Sequence, residues 1–168
     1  LYPDRSGSCL RLCARWDWLP GGVSGFLAAR PRVRLPDVRD HYAYAQVCGD
    51  DEVMRVSGSG ATWDRDKVAS MIQRQRECFS ERGYTMFALE RTVDGIVIGD
   101  CGLSIWAETG ETEIGWRLGS RHWAQGYAGE AAAAVMAFPP GVLGLERIIC
   151  VGQSAIVRSW PTAERRSF

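Results

Sequence analysis

The sequence has no surplus of charge of either sign: 20 Lys and Arg stand against 20 Asp and Glu in 168 residues. That balance gives no support to a nucleic-acid or anionic-membrane surface, so any site for a charged ligand has to be built locally. Histidine is scarce, with two residues, and the six cysteines (Cys9, Cys13, Cys48, Cys78, Cys101, Cys150) include no C-x-x-C pair. The spacing of a metal site is missing, so no metal is expected, and dispersed thiols fit a reducing cytoplasm. Cys9 and Cys13 alone are close enough to share a helix face. No run approaches the ~18 apolar residues of a membrane span, and the N-terminal residues lack the continuous apolar core of a signal peptide. What is present, 46% hydrophobic and 24% charged residues, suits one globular domain with a real core.

The stretch Glu111–Ala131 organises the rest. Thr112, Ile114, Trp116 and Leu118 alternate with Glu113, Gly115 and Arg117, the period-two pattern of a half-buried strand. A short loop follows, then a helix starting near Gly126. Its face of Ala128, Ala131, Ala132, Val135 and Met136 is made of small side chains, so it can lie close to a sheet. The loop Ala124-Gln125-Gly126-Tyr127-Ala128 offers no Ser, Thr, Asp or Asn at the N-cap position. The first backbone N–H groups are left for water or for an anion, and Gly126 would let a phosphate approach.

The other elements follow in order. Residues 1–30 are broken by Pro3, Gly7, Pro20, Gly21, Gly22 and Gly25, and read as an arm of uncertain order ahead of a domain at 31–168. Arg32–Leu35 reads as a strand. Asp37 and Asp40 form a capping box for a short helix, with Tyr42, Ala45 and Val47 expected inside. Thr62 is expected to cap the next helix, with Asp64 and Asp66 at its positive end and Val68, Met71, Ile72, Gln75 and Phe79 as its inner stripe. A strand at Tyr84–Arg91 turns at Val93-Asp94-Gly95 into Ile96–Ile105, where Gly99 and Gly102 suggest a bulge or a close backbone approach. Trp106–Gly110 closes the next hairpin. Pro139 and Pro140 stop the Ala-rich helix, and Arg147–Val151 is the strand after it.

Three blocks in order, Glu113-Ile-Gly-Trp-Arg-Leu118, His122-Trp-Ala-Gln-Gly-Tyr-Ala-Gly-Glu-Ala131 and Leu143-Gly-Leu-Glu-Arg-Ile148, resemble the GCN5-related N-acetyltransferase (GNAT) superfamily, in particular its RimJ/RimL-like branch of ribosomal-protein alanine acetyltransferases. The superfamily's loop reads Gln/Arg-x-x-Gly-x-Gly/Ala, and here it reads Trp123-Ala-Gln-Gly126-Tyr-Ala128. The resemblance implies a three-layer α/β/α fold with a mixed, mainly antiparallel sheet. Its central strands, near 112–118 and 146–151, would run parallel and splay apart, as a connection through one helix also requires. Near the C-terminus Ser159, Trp160, Glu164 and Phe168 match the family, whereas Ile156 replaces an Asn and Pro161 stands in a helix's first turn. The last two strands of relatives are expected to be absent.

The implied activity is transfer of an acetyl group from acetyl-CoA to a primary amine, on a small molecule or a protein N-terminus, by direct attack in a ternary complex. Such a reaction needs a phosphate site, a donor to the thioester oxygen and an acceptor for the ammonium proton. The resemblance assigns Trp123, Ala124, Gln125, Gly126, Tyr127, Ala128 and Gly129 to the phosphates and a backbone N–H among Trp116, Arg117 and Leu118 to the thioester. Glu113 would take the proton through water; read without the resemblance, it is a solvated strand residue paired with an Arg. Ser159 matches the position that touches the CoA sulfur, and it reads equally as a helix N-cap. Trp116 and Trp123 fit the cofactor cleft or the core, and His41 and His122 read as surface residues. A catalytically inactive CoA-binding or interaction module is the alternative. Nucleic acid and membrane are not expected partners, and both a monomer and a homodimer are open.

Overall fold

The computed structural model describes residues 25–27, 30–57, 60–137, 145 and 147–150. Five strands form one antiparallel sheet in sequence order: β1 (Gly25–Leu27), β2 (Pro31–Arg34), β3 (Met86–Arg91), β4 (Val97–Ile105) and β5 (Thr112–Leu118). Beyond β5, Ile149 pairs with Glu113 in parallel sense. The Ile114 N–H donates to the Ile149 carbonyl at 2.8 Å, and the Ile149 N–H donates to the Thr112 carbonyl at 2.9 Å. The expected parallel pair is therefore present, as a single bridge among the described residues. β1 lies in the stretch assigned by sequence to an arm; its three residues pair with Arg32–Arg34.

Helices cover both faces. On one side α4 (Tyr127–Met136) lies over Phe87, Leu89, Cys101, Leu103, Ile114 and Leu118, with Ala131, Ala132 and Ala134 in the contact. Small side chains allow this close approach, as their periodicity implies. On the other side α1 (His41–Cys48), α2 (Asp51–Met54) and α3 (Arg65–Arg82) enclose Tyr44, Val53, Met54, Val68 and Ile72 against Ala88 and Val97. The result is the expected three-layer α/β/α arrangement.

Local chemistry explains most element boundaries. Asp37 and Asp40 form the capping box, but they begin a 3-10 turn at Val38–Asp40, and α1 starts only at His41. That offset rotates the inward face onto Tyr44, Val47 and Cys48 and leaves Tyr42 70% exposed, contrary to expectation. The cap of α3 is Asp64, whose carboxylate accepts from the Lys67 N–H at 2.8 Å, and Thr62 lies outside the helix. Gly83, at φ 76°, ends α3 in the left-handed conformation that a side chain would strain.

The two glycines of β4 are required for different reasons. Leu89 pairs with Gly99 and Glu90 with Val97, so Ile98 is the extra residue of a β-bulge. A Cβ on Gly99 would lie 2.0 Å from the Arg117 carbonyl oxygen, and one on Gly102 would lie 2.0 Å from the Thr85 carbonyl oxygen. Both obstacles are backbone, which cannot rotate away.

Candidate active site

The site begins at the outer edge of β5. Gly119 donates its N–H to the Ile98 carbonyl on the β4 side, whereas Ile114 donates to Ile149 on the other. Strand alternation therefore points the N–H groups of Trp116 and Leu118 along the edge of Ile114, away from β4. Trp123 bounds this stretch: its indole Nε1 donates to the Leu118 carbonyl at 2.8 Å. Between Ile149 and the Trp123 indole, the Trp116 and Leu118 amides form a short row of donors aimed outward from the sheet. Trp123 also packs against the apolar clusters on both sides of the sheet, so its core and cleft readings coincide in one residue.

Past Leu118 the chain makes a 3-10 turn at Ser120–His122 and reaches α4 through an exposed loop. Ala124 has φ 59° and Gly126 φ 88°. A left-handed alanine costs about 1–2 kcal/mol, and such strain is concentrated where a loop is held for a purpose. Gly126 is the N-cap and brings no side-chain acceptor to the first turn of α4. The positive end of a ten-residue helix is thus presented beside a bent backbone, a geometry suited to a phosphate. Sequence reading located the uncapped helix start but gave no sign of the Ala124 conformation, because alanine does not favour it.

Residues outside the motif complete the loop. Arg30 forms an ion pair with Glu130, its Nη2 donates to the Gln125 carbonyl at 2.6 Å, and its guanidinium lies 4.9 Å from the centroid of the Tyr127 ring. Tyr127 is itself buried, and Gln125 Nε2 donates to the Arg121 carbonyl at 2.9 Å. Nothing in the local sequence around Arg30 points to this partnership across 100 residues.

Glu113 stands on β5 opposite Ser104, whose hydroxyl donates to Oε1 at 2.8 Å. Among the described residues its hydrogen-bond partner is this hydroxyl and not the Arg of the alternative reading. The Ser104 bond fixes one carboxylate oxygen. Cys150 is exposed and lies one residue past the parallel bridge; partial desolvation and the Glu113 charge raise its thiol pKa.

The Arg117 guanidinium turns to the opposite face from α4. Its Nη2 donates to Asp100 Oδ2 at 2.5 Å, and it stacks 4.7 Å from the Trp63 ring centroid. Only its backbone belongs to the β5 edge. Burial pushes the Asp100 carboxyl pKa up against the opposing pull of Arg117, and burial likewise raises Tyr44 and brings the Cys48 thiol to about 11. On the same side, Asp50 caps α2 through the Glu52 N–H and accepts from the Ser120 hydroxyl at 2.6 Å. That bond depresses the Asp50 pKa and ties the α1–α2 connection to the loop leaving β5. His41 Nε2 lies 2.9 Å from the Arg65 carbonyl, and burial lowers the His122 pKa. Ser159 lies outside the described residues. Among the described residues no helix is long and apolar enough to cross a membrane.

Comparison with known proteins gives a consistent picture. The family model described as an acetyltransferase (GNAT) domain matches residues 30–165. An uncharacterized N-acetyltransferase p20 of Bacillus licheniformis is 30% identical over 120 residues, which is 71% of this chain and 67% of that protein. An acetyltransferase structure from Agrobacterium tumefaciens superposes with a TM-score of 0.74 at 22% identity, covering 89% of this chain and 85% of the other. A RimL ribosomal L7/L12 α-N-protein acetyltransferase in complex with coenzyme A superposes with a TM-score of 0.70 at 16% identity, covering 84% and 81%.

Proposed function

From the premise that the chain belongs to the GNAT acetyltransferase family, we propose that it is of the RimJ/RimL-like kind and uses acetyl-CoA to acetylate a primary amine by direct attack in a ternary complex. The single observation that carries this reading is the succession of two donor sets on consecutive stretches of the chain. The outward N–H groups of Trp116 and Leu118 lie at one end, and the uncapped start of α4 behind the Ala124–Gly126 loop lies at the other.

These residues fit coenzyme A. The α4 start and the exposed, positive-φ loop suit its phosphates, with Gly126 giving room for close approach. The β5 edge offers amide donors to an extended amide-bearing arm as a neighbouring strand would. Acetyl-CoA, when bound, supplies the acetyl group as a thioester. The Trp116 or Leu118 N–H polarises the carbonyl by donating to its oxygen. Trp123 fixes the edge by holding the Leu118 carbonyl.

Glu113 takes the proton lost by the acceptor ammonium, through a water. Its Ser104 hydrogen bond leaves the second oxygen available. An α-amine with a pKa near ~8 is mostly protonated at neutral pH but lies within about one unit of its neutral form, so a carboxylate at the end of a water relay is sufficient to take the proton. The acceptor is a small-molecule amine or the α-amino group of a protein; the RimL neighbour supports the second.

The test is release of free CoA from acetyl-CoA across a panel of small amines and N-terminal peptides, for wild type and Glu113→Gln. Turnover should fall by about 100-fold, the low end of general-base effects, with acetyl-CoA affinity retained and a smaller deficit at high pH. Binding of acetyl-CoA without turnover of any amine would instead favour an inactive CoA-binding module. Turnover with an unchanged rate and pH profile in Glu113→Gln would remove Glu113 as the base and leave the cofactor assignment standing.

A further inference from the structure

We propose that Arg30 is a positioning residue for the cofactor: it neutralises and holds aside Glu130, a carboxylate that would otherwise compete with phosphate for the start of α4. The inference rests on the acetyl-CoA reading above.

Glu130 belongs to the first turn of α4, the place where a carboxylate is drawn to the helix's own amides. Its Oε1 lies 3.7 Å from where a Cβ on Gly126 would stand, so the charge is at the mouth of the loop. Arg30 engages both of its oxygens. The backbone N–H of Arg30 donates to Oε2 at 3.1 Å, Nε donates to Oε1 at 2.8 Å, and Nη2 reaches the same Oε1. Nη2 also donates to the Gln125 carbonyl, at 2.6 Å, and would lie 2.8 Å from a Cβ on Gly126. The Tyr127 ring supports the guanidinium from below at 4.9 Å.

One cation thus performs two tasks. It offsets the only acidic side chain in the helix's first turn, and it pins the peptide preceding Gly126 in the conformation that directs the loop outward. Without Arg30 the freed carboxylate would turn onto the α4 amides or repel an incoming phosphate. Both effects act on binding and neither on proton transfer at Glu113, so the expected signature is a raised KM for acetyl-CoA with kcat retained.

A charge-rescue cycle measured by calorimetric titration with acetyl-CoA separates this role from simple packing. Arg30→Met should weaken binding by about tenfold, the scale of one uncompensated charge near a phosphate. The double variant Arg30→Met/Glu130→Gln should recover part of that loss, since the competing charge is gone while the Gln125 contact is still missing. Glu130→Gln alone keeps the Arg30 cation and should bind at least as tightly as wild type. This last variant carries the test if Arg30→Met does not fold. Unchanged affinity in Arg30→Met, a double variant as weak as the single, or weakened binding in Glu130→Gln would each overturn the proposal while leaving the cofactor reading in place. Wild type that binds no acetyl-CoA would overturn the cofactor reading and this inference together.

Discussion

Replacing Arg117 with Met removes the cation from a buried pair and leaves the Asp100 carboxylate behind. The Asp100 side chain is 1% exposed and that of Arg117 12%, and they meet at 2.5 Å between β4 and β5. Among the described residues Asp100 Oδ1, Arg117 Nε and the nearby Tyr44 hydroxyl have no hydrogen-bond partner, so the pair has little else there to solvate it. Breaking such a pair from one side costs about 3–5 kcal/mol, because a charge is stranded in the interior. Met preserves much of the packing against Trp63, so the loss is mainly electrostatic. Set against a typical total stability of about 5–15 kcal/mol, it should shift the urea midpoint far down and populate unfolded chain at physiological temperature. Asp100→Leu/Arg117→Met removes both charges and should recover most of the loss, to within about 2 kcal/mol of wild type. The measurement is urea unfolding followed by circular dichroism, with the slope checked to be constant across the cycle. A cost below about 1 kcal/mol for Arg117→Met, or a double variant no better than the single, would refute the stranded-charge argument.

Gly126→Val should weaken acetyl-CoA binding by at least tenfold, or roughly 1.4 kcal/mol, because φ 88° disfavours a side chain and the new Cβ would displace the Arg30 guanidinium; calorimetry of the folded variant checks it. Gly102→Ala should prevent folding or cost on the order of 3 kcal/mol or more, since its Cβ would stand 2.0 Å from the Thr85 backbone carbonyl oxygen; expression and thermal denaturation decide. Asp50, whose folded pKa is depressed by the Ser120 hydroxyl, contributes stability that is complete above the unfolded value of about 3.9 and is lost as pH falls through the lower folded value. The gap in urea midpoint between wild type and Ser120→Ala should therefore be full at pH 6 and close below about pH 4; a gap that persists to low pH would exclude the hydrogen bond to ionised Asp50 as its source.

Periodicity and local chemistry made much of this protein legible in one dimension. The alternation of Thr112, Ile114, Trp116 and Leu118, the small-residue face of α4 and the Asp37/Asp40 capping box each depend on neighbours within a turn or a strand. Gly99 and Gly102 advertised crowded backbone, although only the sheet register shows that their obstacles are the carbonyls of Arg117 and Thr85. Even the parallel sense of the pairing at Ile149 followed from a helical connection that has to return on the same face. The one-turn error at Tyr42 came from a 3-10 turn whose cap looks the same in sequence as that of an α-helix.

Tertiary structure alone decided which partners those residues meet. Alternation puts Arg117 on a face but cannot say that Asp100 waits there, since cross-strand neighbours are set by register and bulge. Glu113 was visible as a carboxylate on the right strand, and only the fold supplied Ser104 in place of an arginine. The outward row at Trp116 and Leu118 exists because Ile149 pairs with β5 at Glu113 and Trp123 closes the far end. Arg30 lies furthest from sequence reading: it is one cation among many until the sheet and α4 bring it to Glu130. The physical reason is the range of the forces involved. Backbone propensity and capping act over a few residues, whereas a charge pair between distant residues forms only after apolar burial has fixed where each backbone runs.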